Sequence, residues 1–163
     1  MAHARLHMIC GNCGANNMFE YEIGVDIDDD TDAINRAFQQ IYKVGITETD
    51  PRTRRTIYFP GGTYLISSPL KIPRYAKLIG DGSSSTIVKI NSAIVPMVQF
   101  CDTSFQTGTS IGNSGAQLPG IIEISGMQFT NIGTNIIQPL VIIDSASDIS
   151  FKHVTFVSNV TSG

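Results

Sequence analysis

The sequence predicts an all-β fold, a parallel β-helix preceded by one short α-helix. Three observations lead there. After residue 55 the apolar residues alternate or fall in short runs, broken by Pro60, Gly61, Gly62, Pro69, Pro73, Gly80 and Gly82, the pattern of short strands separated by turns. One amphipathic helical stretch precedes these strands. Near the end, Ile122, Ile124, Met127 and Phe129 are followed 27 residues later by Ile149, Phe151, Val154 and Phe156 with the same internal spacing. Repetition of that kind, with strands and no helix in between, is expected of units that bury a shared core by lying on one another.

Composition narrows the function. At 163 residues the chain has room for one domain with a real core. Charged residues make up 15% of it, against about 25% in an average soluble domain. With 11 Lys plus Arg and 14 Asp plus Glu the net charge is -3, so no basic field gathers phosphates and nucleic acid is not an expected partner. The longest apolar stretch, around Leu140 to Ile143, is far short of the roughly 20 residues of a membrane helix, so no membrane insertion is expected. Three cysteines, Cys10, Cys13 and Cys101, cannot all pair within one chain, which fits synthesis in a reducing compartment. Met1 to Ile9 lack the long apolar region of a secretory signal, so ordinary export is not indicated.

Residues 1–24 form an N-terminal arm whose sharpest motif is Cys10-Gly-Asn-Cys13-Gly, with His3 and His7 upstream. Two thiolates converging from a tight turn make half of a structural zinc site. The other half would come from His7 or His3, or from a second subunit. The alternative is a free-thiol turn that docks on a neighbour.

Asp26, Asp28 and Asp30 alternate as in a calcium loop, but Thr31 stands where that loop needs Gly and Ala37 where it needs Glu. Their expected role is at the start of a helix over about 32–43. There Ala33, Ile34, Ala37, Phe38 and Ile41 make one apolar stripe, and Asn35, Arg36, Gln39 and Gln40 face the other way. Asp30 or Thr31 caps the first turn, Lys43 suits the negative end, and Gly45 stops the helix.

A polar loop from Thr47 to Arg55, with a small basic cluster at Arg52, Arg54 and Arg55, leads to strands at Thr56–Phe59, Thr63–Ile66, Leu70–Ile72, Lys77–Ile79 and Thr86–Ile90. Gly80-Asp-Gly82 precedes serines rather than a helical pattern, so it reads as a turn and not as a dinucleotide fingerprint. Phe105 to Gly120 reads as a long excursion between strands.

From Ile90 onward the charged residues are Asp102, Glu123, Asp144, Asp148 and Lys152. Paired carboxylates across a groove would serve carbohydrate cleavage, and Asp144 with Asp148 are the candidates. Both frame a small turn, however, where Asp ordinarily hydrogen-bonds the local backbone. His153 is expected on the solvent side of a strand, since Phe151, Val154 and Phe156 take the inner side. Asn159-Val-Thr161 matches a glycosylation sequon, which carries no weight without a secretory signal.

Three segments carry a family resemblance: Asp26-Ile-Asp-Asp-Asp-Thr-Asp-Ala-Ile-Asn-Arg-Ala-Phe, then Thr56-Ile-Tyr-Phe-Pro-Gly-Gly-Thr-Tyr-Leu-Ile-Ser-Ser-Pro-Leu-Lys-Ile-Pro, then Leu78-Ile-Gly-Asp-Gly. Together they resemble the opening of the pectate-lyase-like superfamily, in particular its bacteriophage tailspike and tail-fibre branch. The resemblance implies a right-handed parallel β-helix over residues 25–163, continuing beyond residue 163. The helix would lie over the open end with Phe38 and Ile41 as its plug, and Gly61, Gly62 and Gly82 would sit at tight corners.

It further implies a virion structural and adhesion protein, made in a reducing host cytoplasm and residing in the virion tail. Such a protein is a homotrimer, attached to other tail proteins or sister subunits through residues 1–24 and binding a host-surface glycan, with no cofactor required. Two alternatives stay open. One is a polysaccharide lyase or glycoside hydrolase whose catalytic coils lie outside this chain; all six Arg fall at or before Arg74, which counts against lyase chemistry in the coils present. The other is a zinc-bearing assembly module.

Overall fold

The computed structural model describes residues 3–10, 20–24, 29–41, 55–72, 76–100, 122–143 and 148–159. Among these residues two strands, β1 (His3–Cys10) and β2 (Glu20–Gly24), precede one helix, α1 (Thr31–Ile41). Eleven strands follow: β3 (Arg55–Phe59), β4 (Gly62–Ile66), β5 (Leu70–Ile72), β6 (Lys77–Gly80), β7 (Thr86–Ile90), β8 (Val98–Phe100), β9 (Ile122–Ser125), β10 (Gln128–Asn131), β11 (Val141–Ile143), β12 (Ile149–Lys152) and β13 (Thr155–Ser158). The five strands expected between Thr56 and Ile90 fall within a residue of their positions. Lys43, Gly45, the Thr47–Arg54 loop and the Phe105–Gly120 excursion lie outside the described residues.

The strands sort into three sheets by taking every third one. One sheet runs β12-β9-β6-β3-β1-β2, a second β13-β10-β7-β4, and a third β11-β8-β5. From β3 onward all pairs are parallel, and only β1 with β2 and β1 with β3 are antiparallel. Successive passes through the three sheets form rungs, β3-β4-β5, then β6-β7-β8, then β9-β10-β11, with β12 and β13 beginning a fourth. The arrangement is mostly parallel strands with one short helix, and it is compatible with a parallel β-helix. No helix among the described residues is long and apolar enough to cross a membrane.

The 27-residue repeat is a direct stacking register. Ile149 pairs with Ile122 and Phe151 with Ile124, while Phe156 pairs with Phe129. Along β4, β5, β7, β8, β9 and β10 the side chains alternate inward and outward, as the pleat requires. The inward set of Ile57, Phe59, Tyr64, Leu70, Leu78, Val88, Phe100, Ile124 and Phe129 is buried in one core. Phe59 meets Tyr64 edge-on at 5.4 Å, and Phe129 stacks on Phe156 at 5.5 Å.

Helix α1 packs its apolar stripe on this core, with Ile34, Ala37 and Phe38 fully buried. Phe38 therefore takes the expected inner position; the side chain of Ile41 lies outside the described set. The acidic run does more than cap. Asp29 Oδ1 accepts from the Thr31 amide at 2.9 Å, while Asp30 reaches away from the helix to β4. There the Asp30 amide donates to the Leu65 carbonyl at 2.7 Å, and Asp30 Oδ2 accepts from the Leu65 amide at 2.9 Å. Strand β4 is the edge of its sheet, so its exposed donors and acceptors require partners. Asp30 supplies one of each. Ser67 extends the clamp, its amide donating to Thr31 Oγ1 and Asp29 Oδ1 and its hydroxyl to Asp29 Oδ2. Asp30 thus stands at the helix start, its carbonyl accepting from the Ile34 amide at 3.0 Å, while its carboxylate serves the first rung and Asp29 accepts from the Thr31 amide.

The tight corners also differ from expectation. Gly82 has a positive φ as expected, but a Cβ on Gly62 would meet open space and one on Gly61 only ordinary contacts. The crowded pair is Gly80 and Gly126. A Cβ on Gly126 would lie 2.5 Å from the Gly80 carbonyl oxygen, and Gly126 has φ +63. Here two rungs meet backbone to backbone, and only a residue without a side chain permits it.

Candidate functional site

Outward-facing side chains form rows that climb from rung to rung. On the β3-β6-β9-β12 sheet, Lys77 pairs with Glu123 and Glu123 with Ser150, while Tyr58, Ile79, Ser125 and Lys152 make the neighbouring row. On the β4-β7-β10-β13 sheet the rows are Thr63, Ile87, Gln128 and Thr155, and Leu65, Lys89, Thr130 and Val157. Gln128 Nε2 donates to Thr130 Oγ1 at 2.7 Å. Rigid strands, rather than loops, therefore hold a mixed surface of hydroxyls, the Gln128 amide, aliphatic side chains and a few charges.

The ionisable part of this surface lies on the first of these sheets. Lys152 Nζ donates to Glu123 Oε1 at 3.2 Å, and Lys77 Nζ stands 3.7 Å from Glu123 Oε2. One carboxylate is thus flanked by two ammonium groups, one from the rung on either side. Such exposed pairs contribute about 0–1 kcal/mol each to stability. What they fix is orientation. At the lower end, Asp81 accepts from the Tyr58 hydroxyl and, at 2.7 Å, from the Gly61 amide. The hydrogen bond to Asp81, with a little burial and the negative field of that carboxylate, raises the Tyr58 phenol above its ordinary value. Burial foremost, then the Asp30 and Asp81 charges, raises Tyr64 further still. Both phenols stay protonated as donors. Burial alone would raise the Asp29 carboxyl, but the hydrogen bonds from Ser67 and Thr31 hold it below its usual range.

Chemically, these rows can hold the hydroxyl groups of a polyol through paired donors and acceptors. Among the described residues no group of three or more His, Cys, Asp or Glu stands close enough to hold a metal ion.

The candidates read from the sequence are placed as follows. His7 and Cys10 both lie in β1, with His7 opposite Glu20 on one side and Tyr58 on the other, and Cys10 opposite Arg55. Cys13 lies outside the described residues. Asp148 is exposed at the corner before β12, with φ 53, and its carbonyl accepts from the Ile122 amide at 3.1 Å. Asp144 lies outside the described residues. His153 is exposed, but in the turn between β12 and β13 with φ 53 rather than on a strand; it occupies the corner that Gly126 holds one rung below.

Sequence reasoning missed the grouping of Lys77 and Lys152 about Glu123 and the Tyr58–Asp81 bond. The long segment between β8 and β9 stretches the repeat there, so Lys77 and Glu123 show no common period. Residues 21–163 match a family model described as rhamnogalacturonase A/epimerase, pectate lyase-like. Neither a curated protein nor a solved structure matches the chain significantly.

Proposed function

Because the chain belongs to the rhamnogalacturonase A/epimerase, pectate lyase-like family, its function is carbohydrate-related, and we propose that it binds glycan as the adhesion part of a phage tail fibre or tailspike. In this reading residues 25–163 are the N-terminal part of a right-handed parallel β-helix, α1 is its cap, and residues 1–24 attach the chain to tail proteins or sister subunits of a homotrimer. The observation that carries it is the outer face itself. Thr63, Gln128, Thr130, Thr155 and Ser150 stand on stacked strands, where their positions are fixed before a ligand arrives, so little ordering cost attends glycan binding. The opening sequence, Asp26 to Phe38 and Thr56 to Pro73, supports the tail-fibre branch.

The test pairs binding with cleavage. Host-surface polysaccharides are incubated with the purified protein, and both retention on the protein and release of new reducing ends or unsaturated sugars are measured. Adhesion predicts retention without new ends. Cleavage favours the second reading, a polysaccharide lyase or glycoside hydrolase, for which the family match speaks directly. Failure of both sinks the glycan reading. For the N-terminal motif the proposal is weaker in scope: Cys10, Cys13 and His7 would hold one zinc ion, and metal analysis finding less than about one ion per three chains removes it.

A further inference from the structure

The corner between β6 and β7 needs a glycine, because residue 82 sits at φ +129, where side chains are rarely accommodated. The residue before it is Asp81, which is exposed to solvent. In an Asp-Gly pair the glycine nitrogen attacks the Asp carboxyl carbon with unusual ease, since no Cβ on the glycine hinders the five-membered ring. Nothing around Gly82 shields it either, for a Cβ there would meet no atom within 4 Å. Among the described residues Asp81 is the Asp or Asn that precedes a glycine, whereas Asn135 and Asp148, at corners of positive φ, precede isoleucines whose branched side chains slow such closure. Yet each group the ring would need is held. One carboxylate oxygen of Asp81 accepts from the Tyr58 hydroxyl and the other from the Gly61 amide at 2.7 Å, both on the first rung. The Gly82 amide, which must give up its proton to attack, donates at 2.9 Å to the Gly126 carbonyl on the third rung. Carboxylate and nitrogen are thus directed to opposite neighbours. The backbone between them is fixed as well: the Asp81 amide donates to Thr86 Oγ1 at 2.9 Å, and the Gly82 carbonyl accepts from the Ser85 and Thr86 amides. Thr86 is itself fully buried, and its hydroxyl donates to the Phe59 carbonyl.

We infer that Asp81–Gly82 is a latent modification site, an isoaspartate-forming pair that Tyr58, the Gly61 amide and the Gly126 carbonyl keep unreactive while the first three rungs stay docked. The chemistry needs no partner but water. The Gly82 nitrogen bonds to Asp81 Cγ, and the carboxyl hydroxyl leaves as water with the amide proton. One water then opens the ring at either carbonyl by breaking a C–N bond. Opening on one side restores Asp81; opening on the other runs the main chain through Cγ and lengthens it by one atom. The junction has no space for that atom, since even a Cβ on Gly80 would lie 2.4 Å from the Gly126 carbonyl oxygen. A passing opening of the corner therefore becomes a permanent one once isoaspartate has formed. The same glycine that the corner requires creates the hazard, and the hydrogen bonds to neighbouring rungs offset it.

The test ages the purified 163-residue protein at physiological temperature and neutral pH, in buffer and in urea, and follows isoaspartate at position 81 by peptide mass spectrometry. The expected native rate is at least about tenfold below that of the urea-unfolded chain, because reaction must wait for the corner to open. Tyr58→Phe, with amide protection in β7 and β10 retained, should raise the native rate about three- to tenfold, the worth of one hydrogen bond. A native rate equal to the unfolded one overturns the inference, and so does a folded Tyr58→Phe that ages no faster than the parent. Where Tyr58→Phe does not fold, the parent protein in low urea decides. Isoaspartate formation should then rise in step with hydrogen exchange of the Gly82 amide, and formation that stays level while that exchange quickens removes the proposed lock.

Discussion

Ile124 and Phe151 hold the same position one rung apart, yet the first is fully buried and the second is 37% exposed. Phe129 and Phe156 repeat the contrast. In a layered molecule the residue chooses its face of the strand, but the next layer determines whether that face is dry. At the first rung Asp29, Asp30 and Thr31 bring both a helix and substitute ladder partners.

The sharpest way to break this comparison is to truncate equivalent aromatics. Phe129→Ala should cost about 3–5 kcal/mol in urea unfolding, and Phe156→Ala markedly less in the 163-residue chain. Equal losses would show that burial does not grade along the stack. Gly126→Ala comes next, at about 2–4 kcal/mol, because it combines a positive φ with overpacking against the Gly80 backbone.

Asp30→Ala should cost about 1–3 kcal/mol by leaving the Leu65 amide without its acceptor, and Asp30→Asn less, since an amide oxygen still accepts; the same unfolding curves report both. His153→Gly should have the opposite sign, a gain of up to about 1 kcal/mol, because a histidine now bears the left-handed corner that glycine fills one rung below.

The smallest effect is the pH dependence of the clamp. The folded Asp29 carboxyl lies below its unfolded value, so its contribution is fully present above about pH 4 and is lost as the pH falls through the folded value. Asp29→Asn should flatten that acid limb of the urea midpoint and leave the neutral region with only the loss of charge-assisted bonding. An unchanged acid limb would mean that the clamp opens before Asp29 titrates.

Much of the scaffold was legible because strands announce themselves locally. Alternation located β3 to β7, and the matched spacing of Ile122–Phe129 and Ile149–Phe156 gave the rung register, since one rung above another must repeat its inward side chains. The α1 stripe was equally clear. Hidden from view were partners set by sequence-distant backbone. Nothing near Asp30 points to Leu65, nothing near Asp81 points to Tyr58 and Gly61, and the crowding of Gly80 against Gly126 exists only once rungs stack. The pairing of Lys77 with Glu123 escaped for a related reason: the segment between β8 and β9 lengthens the spacing, so its register shows in space and not in sequence.

By itself, then, the sequence determined the helix, the strands β3 to β7, β9, β10, β12 and β13, and which side of each faces inward. Those follow from periodicity, and periodicity is a property of neighbours along the chain. Only the tertiary structure decided which inward residues are dry, which glycines are indispensable and which carboxylates complete a ladder. Each of these depends on what the next layer places within a few ångströms, and that layer comes from residues tens of positions away.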